Sequence, residues 1–497
     1  MEATHLIFQL VYMNTVQRIA KNTGVLLVSR IASYILGFFY VMYTARYLGA
    51  EEFGTLSFAL AFTGIFGVFS DLGLQQLTVR EVARDKSLAG KYLGNIAVMK
   101  LILVITTYAL IALTINLLGY PEQTIKVVYL VALSVIFNAF SRMFYSVFQA
   151  YEKMEYQSAG QILNSTLMLA GVLFAISQGF SVVGFASIYF IVSVIILGYN
   201  FVICAWKFVL PKIEVDWSFW KPTIKEALPF ALSGIFVVIY FYIDSVMLSL
   251  MKGNEVVGWY NAAYRFVYVL LFLPAAYCSS IYPIMSRFYK TSKDSLRFSY
   301  EKSLKYILII AFPIAIGITF FADKIILLIF KEEFAPSIPA LQILIWAVFF
   351  SYLAHVTVYT LNSINRQIIY TKITFLAMVL NVVLNLIFIP LFSFIGASLT
   401  TLFTEFIGLS LMFYYLKRYF GDSIRYVFMA KSIFLMLMSS IIMLCLIKFV
   451  STQLSFVISI GMYLVLLYLL SVFTKEDVNL FKKVLTPLYT KGVNKGE

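Results

Sequence analysis

Charged side chains are scarce in this sequence. Asp, Glu, Lys and Arg together make up 12% of its 497 residues, whereas hydrophobic residues make up 61%. A soluble globular domain carries about 25% charged residues, so the composition excludes a chain built of soluble domains. It predicts an all-α polytopic membrane protein, with most of the chain in membrane-spanning helices.

Cysteines and catalytic motifs are also scarce. The three cysteines, Cys204, Cys278 and Cys445, lie far apart in apolar segments, which excludes a disulfide framework and a cysteine metal site. The sequence has no P-loop, HExxH or GxSxG pattern. We therefore expect no cofactor, no metal and no enzymatic activity such as ATP hydrolysis.

Long apolar stretches are abundant, and about 20 apolar residues suffice to cross a bilayer as a helix. Fourteen stretches meet this length. Their predicted spans are 23–47, 53–79, 92–118, 124–150, 158–178, 181–206, 227–251, 256–286, 303–322, 338–364, 368–390, 393–416, 428–447 and 454–473.

Most of the 38 Lys and Arg residues fall in every second connection between these spans. Such connections stay in the cytoplasm, so we predict that both termini are cytoplasmic and that the protein lies in the cell membrane. The net charge of +14 is spread over many loops. That distribution suits anionic lipid headgroups better than nucleic acid.

Two stretches separated by 204 positions align without a gap, Ser29–Phe62 and Ser233–Phe266. Both carry Gly-x-Glu-x-x-Gly in the same hairpin, beginning at Gly49 and at Gly253. An offset of six helices returns the chain to its starting side, so the repeats are parallel. We predict two six-helix lobes around a central cavity, followed by two further helices.

This repeat predicts the organisation of the whole chain. The predicted parts are an amphipathic segment (1–22), an N-lobe (23–206), a cytoplasmic linker (207–226), a C-lobe (227–418), two additional helices (419–474) and a cytoplasmic tail (475–497).

Four ionisable residues lie inside predicted spans of the N-lobe: Arg30, Asp71, Lys100 and Arg142. Intramembrane charges are costly and usually functional. Three of the four share a helical face with polar or small residues, as expected of a surface that lines water or a ligand. These neighbours are Ser33, Tyr34 and Gly37 for Arg30, Gly64, Gly67 and Gln75 for Asp71, and Asn138 for Arg142.

Two structural alternatives stand beside a functional role. Arg30 can pair with Asp71, and the long side chains of Lys100 and Arg142 can extend to the membrane surface. One acid cannot neutralise three bases, however. A surplus of cations in a wet cavity suits phosphate or pyrophosphate, which Arg binds through two parallel hydrogen bonds and Lys as a point charge.

The predicted C-lobe carries different charges. Asp244 and Arg265 lie in the outer half of their helices and can pair with each other, whereas His355 and Glu405 lie on polar faces. Asp244, His355 and Glu405 are candidates for binding a coupling proton or sodium ion. The alternative for His355 and Glu405 is simple hydrogen bonding to neighbouring helices.

The runs RYLGAEEFGTLSFALAF (Arg46–Phe62) and FSDLGLQQLTVREVAR (Phe69–Arg84) resemble the opening of prokaryotic polysaccharide flippases. These proteins belong to the multidrug/oligosaccharidyl-lipid/polysaccharide exporter superfamily. The resemblance implies fourteen helices, alternating access, and movement of polyprenyl-(pyro)phosphate-linked oligosaccharide from the cytoplasmic to the outer leaflet. It also implies cationic cavity residues that bind the lipid-linked anion. The candidates in this sequence are Arg30, Arg142 and Arg265, with Lys100 and Asp71 beside them.

Two rival functions remain at this point. Drug-exporting relatives in the superfamily use an acidic residue in the first helix, where this sequence has Arg30 and no acid, and a basic cavity repels cationic drugs. A membrane polymerase or ligase would need a large outer loop with catalytic residues, which is missing. We therefore expect a flippase, acting as a monomer on a lipid-linked oligosaccharide among membrane lipids.

Overall fold

The computed structural model describes residues 2–210 and 214–421, with isolated positions between 431 and 467. Within these residues the chain contains helices and no strand, which confirms the all-α fold class. The helices are α1 (Glu2–Gly67), α2 (Leu74–Arg84), α3 (Ala89–Leu117), α4 (Glu122–Ala150), α5 (Met154–Ser177), α6 (Val182–Lys207), α7 (Trp217–Lys252), α8 (Asn254–Leu270), α9 (Phe272–Thr291), α10 (Lys293–Phe330), α11 (Ser337–Ser363) and α12 (Gln367–Phe420).

Ten stretches of the described residues are long and apolar enough to cross a membrane. Two of them contain a non-helical residue, Gly49 in α1 and Ser393 in α12, that divides each into two helices. The divided set corresponds in order to the first twelve predicted spans. Spans 428–447 and 454–473 lie outside the described residues, so the count of fourteen stays a prediction.

The predicted second span, 53–79, is not one continuous helix. Its helix ends at Gly67, a short 3-10 turn follows, and α2 begins only at Leu74. Gly73 has φ 80°, and a Cβ there would lie 2.4 Å from the carbonyl oxygen of Ala227 in α7. Asp71 therefore lies in a break between two helices, next to a point of close backbone approach.

The two Gly-x-Glu-x-x-Gly hairpins have the same backbone geometry. Gly49 has φ 75° and ψ 179°, and Gly253 has φ 92° and ψ 171°, a conformation that glycine alone adopts without strain. This shared turn is what an internal repeat predicts. The division into two six-helix lobes stays a prediction.

The described residues form two compact units. The first contains everything up to Leu270, together with Ala322–Leu344 and Thr371–Thr404. The second contains Leu271–Phe321, Ile345–Tyr370 and residues 405–421.

In the first unit α1 packs against α5 and α8, and α4 packs against α6. Helix α1 is continuous from Glu2 into the first span. The predicted segment 1–22 is therefore helical from residue 2, and no break separates it from the membrane helix.

The start of α7 is fixed against α3. The Asp216 side chain caps α7 by accepting from the backbone nitrogens of Ser218 and Phe219. The side-chain oxygen of Asn95 in α3 accepts from the Asp216 backbone nitrogen at 2.8 Å and from the Trp220 indole nitrogen at 3.1 Å. These bonds hold the predicted linker end against the N-terminal helices.

Candidate functional site

The first unit contains a cavity of about 1060 Å³ that is partly open. Helices α1, α2 and α4–α8 contribute its walls. Four charged side chains line it among the described residues: Arg30, Asp71, Arg142 and Arg265. The structure thus brings together four of the five residues that the sequence predicts for the anion site, including Arg265, which the sequence places at a different membrane depth.

The polar stripes predicted from helical periodicity also line this cavity. All seven neighbours named from the sequence are among its lining residues: Ser33, Tyr34, Gly37, Gly64, Gly67, Gln75 and Asn138. Within α1 and α4 a shared helical face therefore indicated correctly which residues line the cavity. Asp71 and Gln75 also line it, although the helix is broken between Gly67 and Leu74.

Lys100 does not line the cavity. Its side chain is fully buried, and Nζ forms an ion pair with Asp71 Oδ1 and donates to the carbonyl oxygen of Ala139 at 3.1 Å. Asp71 also accepts from the Gln75 backbone nitrogen at 3.3 Å. Two sequence-based alternatives are therefore wrong. Lys100 does not extend to the membrane surface, and the partner of Asp71 is Lys100 instead of Arg30.

Three guanidinium groups remain for the cavity. Among the described residues, Arg30, Arg142 and Arg265 form no salt bridge with a carboxylate. The Nε atoms of Arg142 and Arg265 are buried without a hydrogen-bond partner in this part of the chain. Unpartnered buried donors are costly unless a ligand or water satisfies them, so the cavity wall is suited to an anion.

Arg265 is held in place by α1. Its Nη2 donates to the carbonyl oxygen of Gly37 at 3.1 Å, and its guanidinium lies 5.9 Å from the ring centroid of Tyr40. These contacts leave other N–H donors of the guanidinium, including Nε, without a partner among the described residues. The predicted pairing of Arg265 with Asp244 is not observed.

Sequence reasoning missed much of the uncharged wall. Four tyrosines besides Tyr34 and further amide and hydroxyl side chains line the cavity, among them Tyr40, Tyr145, Tyr189, Tyr242, Gln76, Gln161, Asn164 and Ser193. Spacings of three or four residues on α5 and α6 would have revealed some of them. Such groups hydrogen-bond sugar hydroxyls, and aromatic faces pack on sugar rings.

Asp244 is buried in the first unit among neutral donors. Its carboxylate accepts from the Tyr260 hydroxyl at 2.6 Å, the Thr401 hydroxyl at 2.8 Å and the Asn385 amide at 2.6 Å. Among the described residues no cation pairs with it. The site offers oxygen atoms from α7, α8 and α12 around one carboxylate.

His355 and Glu405 lie in the second unit, where Ser351 contacts both. The Ser351 hydroxyl donates to Glu405 Oε2 at 2.6 Å, and the Ser351 carbonyl oxygen lies 2.8 Å from His355 Nδ1. Because a carbonyl oxygen only accepts, Nδ1 carries a proton in this arrangement. One serine therefore connects two ionisable groups.

Two family patterns match the chain. The pattern of the family described as polysaccharide biosynthesis protein matches residues 19–289, which is more than half of the chain. The MatE pattern matches residues 229–387.

The similar proteins include two from different archaea. "Probable low-salt glycan biosynthesis flippase Agl15" of Haloferax volcanii is 24% identical, over 82% of this chain and 85% of its own length. An uncharacterized membrane protein of Methanocaldococcus jannaschii is 27% identical over 59% of this chain, and the match spans 58% of that relative's length.

Among solved structures, the lipid II flippase MurJ in an inward closed conformation superposes with a TM-score of 0.73. The match covers 91% of this chain and 99% of MurJ at 17% sequence identity, so the likeness concerns the fold. The fold and the family pattern agree with each other. The chain belongs to the polysaccharide biosynthesis protein family, the polysaccharide flippases of the multidrug/oligosaccharidyl-lipid/polysaccharide exporter superfamily.

Proposed function

We propose that this protein is a flippase that moves a lipid-linked oligosaccharide from the cytoplasmic to the outer leaflet. One observation carries the proposal: a cavity of about 1060 Å³ presents three arginines that have no carboxylate partner among the described residues, within a wall of tyrosine, amide and hydroxyl groups. The arginines bind the phosphate or pyrophosphate, and the neutral wall contacts the glycan. The relatives and the structural neighbour named as flippases support this assignment.

In this proposal the five predicted residues have two different roles. Arg30, Arg142 and Arg265 contact the anion directly. Asp71 and Lys100 form an ion pair with each other. They therefore hold the cavity wall in place and do not bind the anion. Lys100 is buried behind the wall and neutralises Asp71, so that the Asp71 carboxylate in the cavity lining does not repel the substrate anion.

Transport in this proposal is coupled to a proton or a sodium ion. Asp244 is the strongest candidate for binding that ion, since its carboxylate has only neutral hydrogen-bonding partners among the described residues. Binding a proton or a sodium ion there would neutralise a buried charge. His355 and Glu405, connected through Ser351, are the second candidate.

The remaining features of the proposal come from the sequence. Both termini lie in the cytoplasm of a cell membrane, and two six-helix lobes alternate access to the cavity as a monomer. The alternative function is a cation-coupled multidrug antiporter, to which the MatE match over residues 229–387 points. The surplus of arginines in the cavity disfavours it, because cations are repelled from a basic wall.

Substrate binding tests the capture step. We expect Arg30→Ala and Arg142→Ala to weaken binding of a polyprenyl-pyrophosphate oligosaccharide by about tenfold or more each, since hydrogen bonds to charged groups contribute about 1.5–3 kcal/mol. Lys126→Ala is the control, because Lys126 is exposed and pairs with Glu122 at 2.6 Å. Unchanged affinity in both arginine variants would refute the capture site.

A further inference from the structure

A second pocket, of about 460 Å³, lies in the second unit where α11 ends, α12 begins and α12 ends. Its walls are apolar: Leu361 and Ile364 are buried, and Ile369 is half-buried. Two exposed guanidinium groups, Arg366 and Arg418, lie among its lining residues. Its size falls within the range of about 300–1,000 Å³ that is typical of small-molecule sites.

The backbone fixes Arg366 at the pocket. Its backbone nitrogen donates to the carbonyl oxygen of Leu361 at 2.9 Å, and its carbonyl oxygen accepts from the Ile369 nitrogen at 3.0 Å. Asn365, with φ 58°, makes the turn between the helices. This tight helix-ending turn holds one cation beside the apolar walls.

Arg418 is held by the last turn of α12. This helix closes with a bond of 2.8 Å from the Gly421 nitrogen to the Lys417 carbonyl oxygen. Neither Arg366 nor Arg418 forms a salt bridge with a carboxylate in the described part of the chain. Both guanidinium groups are therefore available to an anion.

Aromatic side chains complete the pocket. Tyr415 and Tyr419 contribute to the lining, and Lys293 Nζ lies 5.1 Å from the ring centroid of Tyr419. Tyrosine is typical of the membrane interface, where its ring is apolar and its hydroxyl is wet. A further cation thus lies against the ring of one of the pocket's tyrosines.

We propose that this pocket binds an anionic membrane phospholipid. Arg366 and Arg418 hold the headgroup phosphate, and one chain lies against Leu361, Ile364 and Ile369. Basic pockets between membrane helices are suited to acidic lipid headgroups, and guanidinium groups match phosphate through two parallel bonds. A soluble phosphate would leave the apolar walls unused. This site is separate from the substrate cavity of the first unit.

Lipid titration of the purified full-length protein tests the proposal. Phosphatidylglycerol and phosphatidylcholine are added to detergent-solubilised protein, and bound lipid is counted by native mass spectrometry. We expect wild type to prefer phosphatidylglycerol. R366Q/R418Q should bind it about tenfold more weakly, equivalent to about 1.4 kcal/mol.

The matched control is K372Q/K417Q. It removes the same charge from the same two basic segments, and neither lysine lines the pocket. We expect it to bind phosphatidylglycerol like wild type. An equal loss in both double variants would overturn the proposal, because diffuse surface charge would then account for binding. Competition by soluble glycerol phosphate as strong as that by the lipid would also overturn it.

A measurement on unaltered protein covers the case in which R366Q/R418Q does not fold. A photoreactive phosphatidylglycerol is crosslinked to wild type, and the labelled peptides are sequenced. We expect labels at 361–370 and 415–420, and labels only elsewhere would overturn the proposal. The phospholipid assignment would also fail if polyprenyl phosphate displaced the probe at lower concentration than phosphatidylglycerol. None of these readouts depends on flipping, so they separate this site from the proposed transport activity.

Discussion

Lys100 and Asp71 form an ion pair at the cavity of the first unit, and Lys100 is fully buried. Such a pair contributes to the fold chiefly because neither charge can be left alone in a low-dielectric site. Lys100 does not line the cavity, so the proposal gives it no direct contact with the substrate. We therefore expect its loss to affect stability before it affects binding.

Lys100→Met should lower the free energy of unfolding by about 3–5 kcal/mol, because it leaves the Asp71 carboxylate without its partner. The melting temperature should fall accordingly. The double variant D71N/K100M should recover much of that loss. Unfolding followed by tryptophan fluorescence measures both, with Lys126→Met as the exposed control. An unchanged melting temperature for Lys100→Met, together with weakened substrate binding, would contradict a structural role.

At the residue scale, periodicity predicted the lining of the cavity but not the pairing of its charges. Arg30 and Arg142 lie on polar helical stripes that face the cavity, whereas Asp71 lines it from the break between two helices. Lys100 lies on an apolar face that looks lipid-facing in sequence. That face packs against α4 at Ala139, so its apolar neighbours belong to the protein core. Helical spacing carries no information about which neighbouring helix a face meets.

At the scale of elements, α1 and α8 approach each other through two glycines related by the repeat. A Cβ at Gly54 would lie 1.7 Å from the Asn254 carbonyl oxygen, and a Cβ at Gly258 would lie 2.0 Å from the Ala50 carbonyl oxygen. Gly54 corresponds to Gly258 in the repeat, and Ala50 corresponds to Asn254. The two contacts are reciprocal, as a pseudo-twofold pair of helices requires.

Gly54→Ala should push α1 and α8 apart, since its methyl group would meet rigid backbone instead of a flexible side chain. We expect a clear loss of thermal stability and faster hydrogen exchange at 50–58 and 254–258. Gly198→Ala is the control, because a Cβ there meets nothing within 4 Å and alanine favours the helix by about 0.5–1 kcal/mol. Equal stability of the two variants would refute the close contact.

The capped start of α7 gives a prediction about pH. Hydrogen bonding from Ser218, followed by the ion pair with Lys91 at 2.9 Å, lowers the pKa of Asp216 to about 2. An unfolded Asp has a pKa of about 3.9. The stabilisation is therefore fully present above about pH 4 and is lost as the pH falls through about 2.

The melting temperature of wild type and of Asp216→Asn should therefore differ by a constant amount from pH 7 to pH 5. The difference should shrink from about pH 4 to about pH 2, because unfolded Asp is protonated first and the folded Asp216 carboxyl is protonated only near its pKa of about 2. Asn remains a good helix cap, which keeps the variant folded. A difference that grows as the pH falls would contradict this assignment.

The repeat could be predicted from the sequence because its Gly-x-Glu-x-x-Gly motif specifies an unusual backbone turn. The break at Leu72 and Gly73 was not visible, because the surrounding residues are apolar enough for a continuous span. The neutral donors around Asp244 were also hidden. Asn385 and Thr401 come from α12, more than 130 positions further along the chain, and only packing brings them together.

At the scale of the whole molecule, charge distribution connects fold and function. The sequence places most cations in alternate connections, which predicts the topology. The structure places three further cations around one cavity of the first unit. A basic cavity in a chain of this family suits the anionic end of a lipid-linked glycan.

The proposed antiporter alternative makes the opposite prediction about ligand charge. A cationic dye that drug exporters transport should bind this protein weakly, because the three cavity arginines repel it. The anionic lipid-linked glycan should bind tightly, and added salt should weaken that binding. Preferential binding of the cationic dye would favour the drug antiporter.

The most direct test of the account is a flipping measurement in liposomes. Purified protein is reconstituted with a fluorescent polyprenyl-pyrophosphate oligosaccharide, and an impermeant quencher follows its appearance on the opposite face. Imposed proton and sodium gradients are included, with Lys126→Ala as the control. We predict fast crossing with wild type and with Lys126→Ala, and a loss of about tenfold or more with Arg142→Ala. Crossing at the wild-type rate with Arg142→Ala and Arg30→Ala would contradict the central claim that the cavity arginines carry the lipid-linked anion.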